Sequence, residues 1–216
     1  LVGAVAAGVY SFAAQWWVNV IAILLSMIAT ILLTGAFHED GFADVCDGFG
    51  GGYTPQRVLE IMKDSRIGAY GAIGIFLMLT TKFALLFSTP LVLAVPALLL
   101  AHPLSRLMSC SLIFLMRYAR EEGKAKPLAE RMSSNEFGIA CLTVIAPAGL
   151  LILWQPLLLD RLLPAVLLMV FATFIMARMF MRKIGGFTGD CLGAVQQVTE
   201  VAFYLGLLAS PVVAGA

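Results

Sequence analysis

Four carboxylates lie within nine residues of the stretch FHEDGFADVCDGFGGG, which runs from 37 to 52. Three of them, Asp40, Asp44 and Asp47, are spaced i, i+4 and i+7, so on an α-helix they would project within about 60° of one another. Two carboxylates about 6 Å apart repel by roughly 3 kcal/mol at an effective dielectric constant of about 20. No basic residue precedes Arg57 to balance them. The spacing therefore predicts a bound cation, and Mg²⁺ suits it because that ion takes carboxylate oxygens, water and substrate phosphate as ligands.

The same stretch has a simpler interpretation, in which the carboxylates form a solvated acidic loop. Five glycines interleave with them, however, and glycine lets a backbone approach a ligand closely, which favours the metal site. His38 would point away from the three aspartates on one ideal helix. We therefore expect His38 to act as an acid–base group or hydrogen-bond partner more readily than as a metal ligand. Glu39 is the carboxylate that we expect to be incidental to the site.

A second polar stretch, LEIMKDSRIGAYG, precedes the next hydrophobic segment. Arg66 can fork onto a phosphate, and Lys63 can add a point charge. Ser65, between them, is a candidate contact for the same substrate. Asp64 is a candidate general base and could assist the metal site. The alternative, in which these residues anchor the segment at the membrane surface around a local ion pair, stays open.

A third polar stretch, RKIGGFTGDCLGAVQQVTE at 182–200, begins at the end of another hydrophobic segment. Its glycines together with Thr188 could offer backbone N–H groups to an anion. Lys183 adds positive charge beside them, which makes it a candidate phosphate contact. Asp190 could either cap the following helix or join the metal site, and the sequence favours neither.

Two basic residues lie inside hydrophobic segments, where a charge is costly and is therefore either functional or paired. Arg106 follows the tetrapeptide HPLS, and we expect it to point into the helix bundle and to contact substrate phosphate. Lys82 is expected to extend toward the outer membrane face.

The elements that must position these residues are membrane helices. The chain has 216 residues, of which 61% are hydrophobic and only 12% charged, whereas a soluble domain averages about 25% charged residues. The net charge of +1 gives no reason to expect a nucleic-acid partner. We predict an all-α, polytopic membrane helix bundle in one domain, 1–216, with six to seven spans. The predicted hydrophobic segments are about 1–15, 18–37, 67–88, 91–117, 137–158, 162–183 and 197–214. The tripeptide STP at 88–90, together with Pro96, breaks the long run between 67 and 116 into two spans.

Two local features refine this prediction of hydrophobic segments. The first segment would form a helix of about 21 Å, which is short of the roughly 30 Å hydrocarbon core. We therefore expect the first span to be truncated in this chain, with residues missing upstream. The glycines of GAYGAIG, 68–74, recur every third residue, a pattern that lets helix backbones approach closely in lipid.

Charge asymmetry orients the segments. Eleven of the 14 Lys and Arg residues fall on one side, and only Arg161 falls on the other. The positive-inside rule places the eleven in the cytoplasm. The predicted active-site loops, about 38–66, 118–136 and 184–196, therefore face the cytoplasm. The eleven residues are Arg57, Lys63, Arg66, Arg117, Arg120, Lys124, Lys126, Arg131, Arg178, Arg182 and Lys183.

A cytoplasmic acidic metal site surrounded by glycines and basic residues suits transfer of a phosphate-containing group. A metal would neutralise charge on the phosphates and stabilise the leaving oxygen. Arginine and lysine side chains would hold the remaining anionic oxygens.

These motifs resemble those of the cobalamin synthase family, the adenosylcobinamide-GDP ribazoletransferases. The family's acidic motif, T-G-(G/A)-x-H-x-D-G-L-A-D-x-x-D-G, is matched by residues 34–48, with Phe42 where leucine is usual and Glu39 where an apolar residue is usual. Its L-E-I-M-(K/R)-D-S-R-(I/L)-G motif is present at 59–68. Its G-G-x-T-G-D-x-L-G-A motif is present at 185–194, with a later glutamate at Glu200. LSR at 104–106 and YAREEG at 118–123 are also similar to the family.

The resemblance implies a multi-pass enzyme of the cytoplasmic (inner) membrane that acts in cobalamin biosynthesis. Such an enzyme joins adenosylcobinamide-GDP to α-ribazole or its 5′-phosphate, gives adenosylcobalamin or its phosphate, releases GMP and depends on Mg²⁺. The substrates and the lipid bilayer are then its expected partners. A second copy of the chain and other enzymes of the corrinoid pathway are candidate protein partners.

Two other functions remain alternatives. A CDP-alcohol-type phospholipid synthase also holds metal through clustered aspartates, but the D-G-x-x-A-R opening of that group is absent, since Asp44 follows Ala43 directly. A cation-coupled transporter could use the acidic cluster for its coupling ion. Transporters usually place that ion near the bilayer midplane, however, whereas these carboxylates lie at the predicted cytoplasmic end of a segment.

Overall fold

The computed structural model describes residues 1–119 and 132–209, and these residues are almost entirely helical. No strand occurs in these two ranges, and the only β-type pairing there is a single parallel bridge between Tyr118 and Phe187. A short 3₁₀ turn, Pro156–Leu158, precedes the eighth helix. The helices are α1 Val2–Ala13, α2 Asn19–Thr34, α3 Phe37–Gly51, α4 Pro55–Ile61, α5 Ala69–Ser88, α6 Leu91–Leu115, α7 Ser134–Trp154, α8 Leu159–Ile184 and α9 Gly189–Leu208.

Five helices of the described chain, α5 to α9, are long and apolar enough to cross a membrane, α8 together with its leading 3₁₀ turn. A sixth span results if the bent pair α2 and α3 is counted as one, and α1 is a shorter apolar helix. The predicted all-α polytopic bundle is therefore confirmed.

Several predicted boundaries agree with the structure and two do not. The turn at Thr89 and Pro90 separates α5 from α6, as the tripeptide STP indicated, whereas Pro96 lies inside α6 and does not break it. The last span was expected at 197–214 but begins at Gly189. Its first two turns contain Asp190 and Gln196, and Gln196 donates a hydrogen bond to Ser105 of α6 inside the bundle. Residues 120–131 and 210–216, including most of the YAREEG stretch, lie outside the described residues.

The acidic stretch forms its own helix and is not a loop. The chain turns by 85° between α2 and α3. Two consecutive residues make this turn in the left-handed region, Gly35 with φ of 63° and Ala36 with φ of 57°. Glycine adopts this conformation at no steric cost, whereas alanine does so at some cost in free energy. The bend directs α3 across the bundle and away from the axis of α2.

Glycines allow α3 to pack closely on α9 and α5. A methyl group at Gly41 would lie 2.9 Å from the carbonyl oxygen of Asp190, and one at Gly193 would lie 3.1 Å from that of His38. On the other side, a methyl group at Gly71 would lie 3.0 Å from the carbonyl oxygen of Ala43. The predicted packing role of the GAYGAIG glycines is thus confirmed at Gly71.

An apolar cluster beneath α3 joins the three predicted loop regions. Val45 and Val58 pack in it with Phe180 and Phe187, all less than 5% exposed. The backbone of Phe187 also donates to Arg117 O at 3.0 Å and accepts from Ala119 N at 2.8 Å. The ends of α6, α8 and α9 therefore meet α3 and α4 on one side of the molecule.

Candidate active site

The aspartates of α3 share one side of the helix. Asp40 is exposed, while Asp44 and Asp47 are half-buried. Asp190 lies in the first turn of α9 and half-buried, and its backbone touches α3 at Gly41. The crossing of α3 and α9 therefore places the backbone of Asp190 against Gly41, which follows Asp40 and precedes Asp44 in the chain.

Asp47 has a different structural role from Asp40 and Asp44. Its Oδ2 accepts a hydrogen bond from Gly68 N at 2.7 Å, and its Oδ1 accepts one from Gly71 N at 2.8 Å. The first N–H groups of a helix lack partners within that helix, and a carboxylate there also meets the positive end of the helix dipole. Asp47 therefore fixes the start of α5 and is less available than the other aspartates to bind a ligand.

The donor set of this crossing fits Mg²⁺ in chemistry. All of its candidate ligands are carboxylate oxygens, which that ion prefers, and Mg²⁺ commonly uses only one or two carboxylates with water and phosphate. Within residues 1–119 and 132–209, no group of three or more His, Cys, Asp or Glu side chains is already arranged to hold a metal. The residues thus suit an ion that is held partly by protein and partly by substrate and water.

The predicted phosphate contacts after α4 form an exposed ion pair. Arg66 Nη2 lies 2.7 Å from Asp64 Oδ2, and Arg66 Nε donates to Asp64 Oδ1 at 3.1 Å. These hydrogen bonds lower the pKa of the Asp64 carboxyl to about 2 and raise the pKa of Arg66. Asp64 is consequently a weak base at neutral pH. Lys63 and Ser65, on either side of Asp64, are exposed.

Lys183 and Thr188 make structural hydrogen bonds. Lys183 Nζ donates to Phe49 O at 3.2 Å and to Gly52 O at 3.5 Å, where its charge complements the C-terminal end of α3. Thr188 is fully buried and caps α9, since its Oγ1 accepts from Cys191 N at 3.4 Å and donates to Asp190 Oδ2 at 3.3 Å. Both side chains hold elements that carry the aspartates.

His38 and Arg106 lie on the opposite side of α3 from the aspartates, in a buried polar cavity. Arg106 lies in the bundle interior as expected, and its buried Nε has no hydrogen-bond partner among the described residues. No described carboxylate lies within ion-pair distance of its guanidinium, in contrast to that of Arg66. The cavity is lined by Val2, Thr30, Thr34, His38, Glu39, Lys82, His102, Arg106, Gln196, Gln197 and Glu200.

The expectation for Lys82 was wrong. Its side chain does not extend to the membrane surface but is 5% exposed and lies 2.5 Å from Glu200 Oε1, a fully buried carboxylate. Glu39 lies apart from the aspartates, since it is only 9% exposed and accepts a hydrogen bond from Gln197. For the Lys82 ammonium, an ion pair with a nearby carboxylate is more favourable than extension of the side chain to water at the membrane surface.

The two glutamines of this cavity were not among the residues that the sequence pattern predicted to be functional. Gln196 and Gln197 are 3% and 2% exposed and connect the buried carboxylates. A signal for them was present: both lie with Glu200 among apolar residues of one helix, and polar residues inside a span usually face the bundle interior.

Comparisons with known proteins agree on one family. The family model described as cobalamin-5-phosphate synthase matches residues 1–208. Similar curated proteins include the adenosylcobinamide-GDP ribazoletransferase of Vibrio cholerae serotype O1 strain O395, which is 44% identical over 97% of this chain and 79% of its own length. The enzymes of the same name from Shewanella piezotolerans and Shewanella sp. strain W3-18-1 are 44% and 42% identical, over 96% of this chain and 80% and 79% of their own lengths. No solved structure matches. The chain belongs to the cobalamin-5-phosphate synthase family.

Proposed function

We propose that the protein is an Mg²⁺-dependent adenosylcobinamide-GDP ribazoletransferase that acts at the cytoplasmic membrane. The observation that carries this proposal is the crossing of α3 and α9, where the backbone of Asp190 lies against Gly41, between Asp40 and Asp44 in the chain. The family match and the shared name of the relatives supply the substrate class.

The reaction is a phosphoryl-group exchange. A hydroxyl of α-ribazole, or of its 5′-phosphate, attacks the phosphorus that is bonded to cobinamide. The new P–O bond joins ribazole to cobinamide phosphate, the bond to the second phosphorus breaks, and GMP leaves with the bridging oxygen. The hydroxyl proton passes to a base. The two candidate bases are Asp64, which is exposed and paired with Arg66, and His38, which lies on the side of α3 that faces away from the aspartates.

Asp40, Asp44 and Asp190 would hold the Mg²⁺, with Asp47 contributing while it caps α5. When bound, the ion supplies positive charge that offsets the phosphates and the leaving oxygen. Arg106, whose guanidinium has no ion-pair partner among the described residues, would bind an anionic group of the substrate in the polar cavity on the other side of α3 from these aspartates. Arg66, Lys63 and Ser65 would bind a second phosphate once the exposed pair of Arg66 with Asp64 opens. Lys183 and Thr188 would contribute by holding the ends of α3 and α9.

The membrane orientation also belongs to this proposal. Arg57, Lys63 and Arg66 lie on the side of the molecule where α3 and α4 meet the ends of α6 and α8, and Arg117 and Arg182 lie at those ends. This basic side would face the cytoplasm under the positive-inside rule. The aspartates would then have access to cytoplasmic nucleotide-activated substrate.

A purified preparation of the full natural chain, reconstituted in lipid nanodiscs, tests the proposal. Incubation with adenosylcobinamide-GDP and α-ribazole should release GMP and form adenosylcobalamin with Mg²⁺ but not with EDTA. A parallel incubation with a CDP-alcohol and an alcohol acceptor should release no CMP. If the protein with its natural active-site residues releases no GMP, the ribazoletransferase activity is excluded. Release of CMP would instead support the phospholipid synthase.

A further inference from the structure

Glu39 is the neighbour of Asp40 in sequence but occupies a contrasting environment. Asp40 is exposed, whereas Glu39 is 9% exposed and lies in the polar cavity on the inner side of α3. On an ideal helix the two side chains diverge by about 100°. The direction in which Glu39 points therefore sets the direction in which the aspartates of α3 point.

A continuous chain of buried hydrogen bonds connects Glu39 to the spanning helices. Gln197 Nε2 donates to Glu39 Oε1 at 2.8 Å and to Gln196 Oε1 at 2.9 Å. Gln196 Nε2 donates in turn to Glu200 Oε2 at 2.8 Å, and Glu200 Oε1 lies 2.5 Å from Lys82 Nζ. The chain starts on α3, passes along α9 and ends on α5.

The direction of these hydrogen bonds leaves no freedom to the two amides. Both carboxylates can only accept, so each glutamine must turn its NH₂ group toward a carboxylate. Gln196 also donates to Ser105 Oγ of α6 at 3.3 Å. If either amide rotated, its carbonyl oxygen would face a buried anion, which is unfavourable in a low-dielectric interior.

We propose that Glu39 is a positioning residue, which acts through Gln197 to fix the rotation of α3 and hence the orientation of Asp40 and Asp44 toward metal and substrate. Gly35 and Ala36 set the bend before α3, and the close contacts at Gly41 and Gly71 hold its middle. The hydrogen bond of Glu39 adds a buried restraint on rotation in the first turn. This role rests on the proposed function, because it concerns the same aspartates.

The test uses metal binding as well as turnover. Mn²⁺, which occupies oxygen-ligand Mg²⁺ sites, is titrated into the purified full chain in nanodiscs and followed by electron paramagnetic resonance. Glu39→Leu, which keeps the size but removes the acceptor, should weaken Mn²⁺ binding and lower kcat by about 10- to 100-fold, as losses of supporting residues do. Glu39→Gln, which keeps an acceptor oxygen, should stay within about threefold of the natural protein. Glu60→Leu, at an exposed glutamate of α4, is the matched control and should change neither value.

An exchange of the two side chains keeps the proposal testable if Glu39→Leu does not fold. Gln197→Glu alone places two carboxylates against each other and should reduce Mn²⁺ affinity by about 10- to 100-fold. The double variant Glu39→Gln with Gln197→Glu restores a donor and an acceptor between these two positions, although Gln196 Oε1 loses its donor, and should recover part of that loss. Equal losses for Glu39→Gln and Glu39→Leu, or no recovery in the double variant, would overturn the positioning role. If the natural protein forms no GMP at all, the proposed function fails instead, whereas an active natural protein with a flat Glu39 series refutes only the positioning role.

Discussion

Five acidic residues of α3 and α9 divide into two groups that differ in burial and in partners. Asp40, Asp44 and Asp190 lie on the outer side of α3 and at the start of α9, exposed or half-buried. Glu39 and Glu200 lie inside the bundle, 9% and 0% exposed, with amide or ammonium partners. Asp40 and Glu39 are adjacent in α3, and Asp190 and Glu200 lie on the same helix, α9.

The difference shows that carboxylate clustering in this chain has two causes. The buried glutamates belong to a network in which Lys82, Gln196 and Gln197 contact three of their four oxygens, while Glu39 Oε2 has no hydrogen-bond partner among the described residues. The outer aspartates lie at the crossing where Gly41 meets Asp190, and their side of α3 is open to water. We therefore expect the outer group to govern chemistry and the inner group to govern stability.

The largest effect on activity is expected at Asp44. Asp44→Asn keeps the shape but removes the negative charge that a divalent cation requires, so turnover should fall below detection while the protein stays folded in the membrane. GMP release in nanodiscs and the unfolding midpoint in detergent measure the two quantities. Substantial Mg²⁺-dependent activity in this variant would show that Asp44 is not a necessary ligand.

The largest effect on stability is expected at Glu200. Glu200→Gln leaves the Lys82 ammonium buried without its counter-charge, which should cost about 3–5 kcal/mol of unfolding free energy. Tryptophan fluorescence during titration with a denaturing detergent would report the loss.

A compensating double variant tests the ion pair of Lys82 and Glu200 separately from the candidate active site. Glu200→Leu combined with Lys82→Met removes both charges, and replacement of a buried ion pair by apolar side chains is often close to neutral. Stability should therefore recover by at least about half of the loss from Glu200→Gln. If the double variant is as unstable as Glu200→Gln, the Gln196 contacts to Glu200 contribute more to stability than the pairing of charges does.

The sequence was sufficient for most of the fold. Uncharged runs and the STP turn located α5 and α6 to within two residues at each end. The i, i+4, i+7 spacing correctly placed Asp40 and Asp44 on a common helix side. It could not show that α3 turns by 85° from α2, because that depends on Ala36 adopting a left-handed conformation, which alanine rarely does.

Long-range partners explain what the sequence did not reveal. Lys82 and Glu200 are 118 positions apart, and Glu39 and Gln197 are 158 apart. A buried charge is recognisable as costly from sequence, but the residue that compensates it is not. Lys183 and Thr188 illustrate the same limit, since each had the right chemistry for an anion and yet bonds to a helix end.

Asp47 provides an intermediate case between the two groups. Asp47→Asn retains one oxygen for the N–H groups of Gly68 and Gly71 and removes the charge at the start of α5. We expect a loss of about 1 kcal/mol in stability, typical of a weakened helix cap. Amide hydrogen exchange should accelerate in the peptide that contains both glycines, whereas Asp40→Asn should leave that peptide unchanged. Unchanged exchange after Asp47→Asn would mean that the neutral amide caps α5 equally well.

The smallest effect is expected at Asp64, whose carboxylate is exposed and held only by Arg66. Hydrogen bonds from Arg66 lower the Asp64 pKa from 3.8 to about 2. The contribution of this ion pair to folding stability is therefore complete above pH 3.8 and is lost only as the pH falls through about 2. Asp64→Asn should therefore leave the unfolding midpoint and the shape of the kcat profile between pH 5 and 9 unchanged, while kcat/KM changes by no more than about fivefold because Arg66 gains freedom. The loss of an acidic limb from the pH profile in this variant would instead identify Asp64 as the base. His38 is the other candidate base. The same pH profile measured for His38→Gln therefore shows whether the base is Asp64, in the exposed ion pair, or His38, beside the buried hydrogen-bond network.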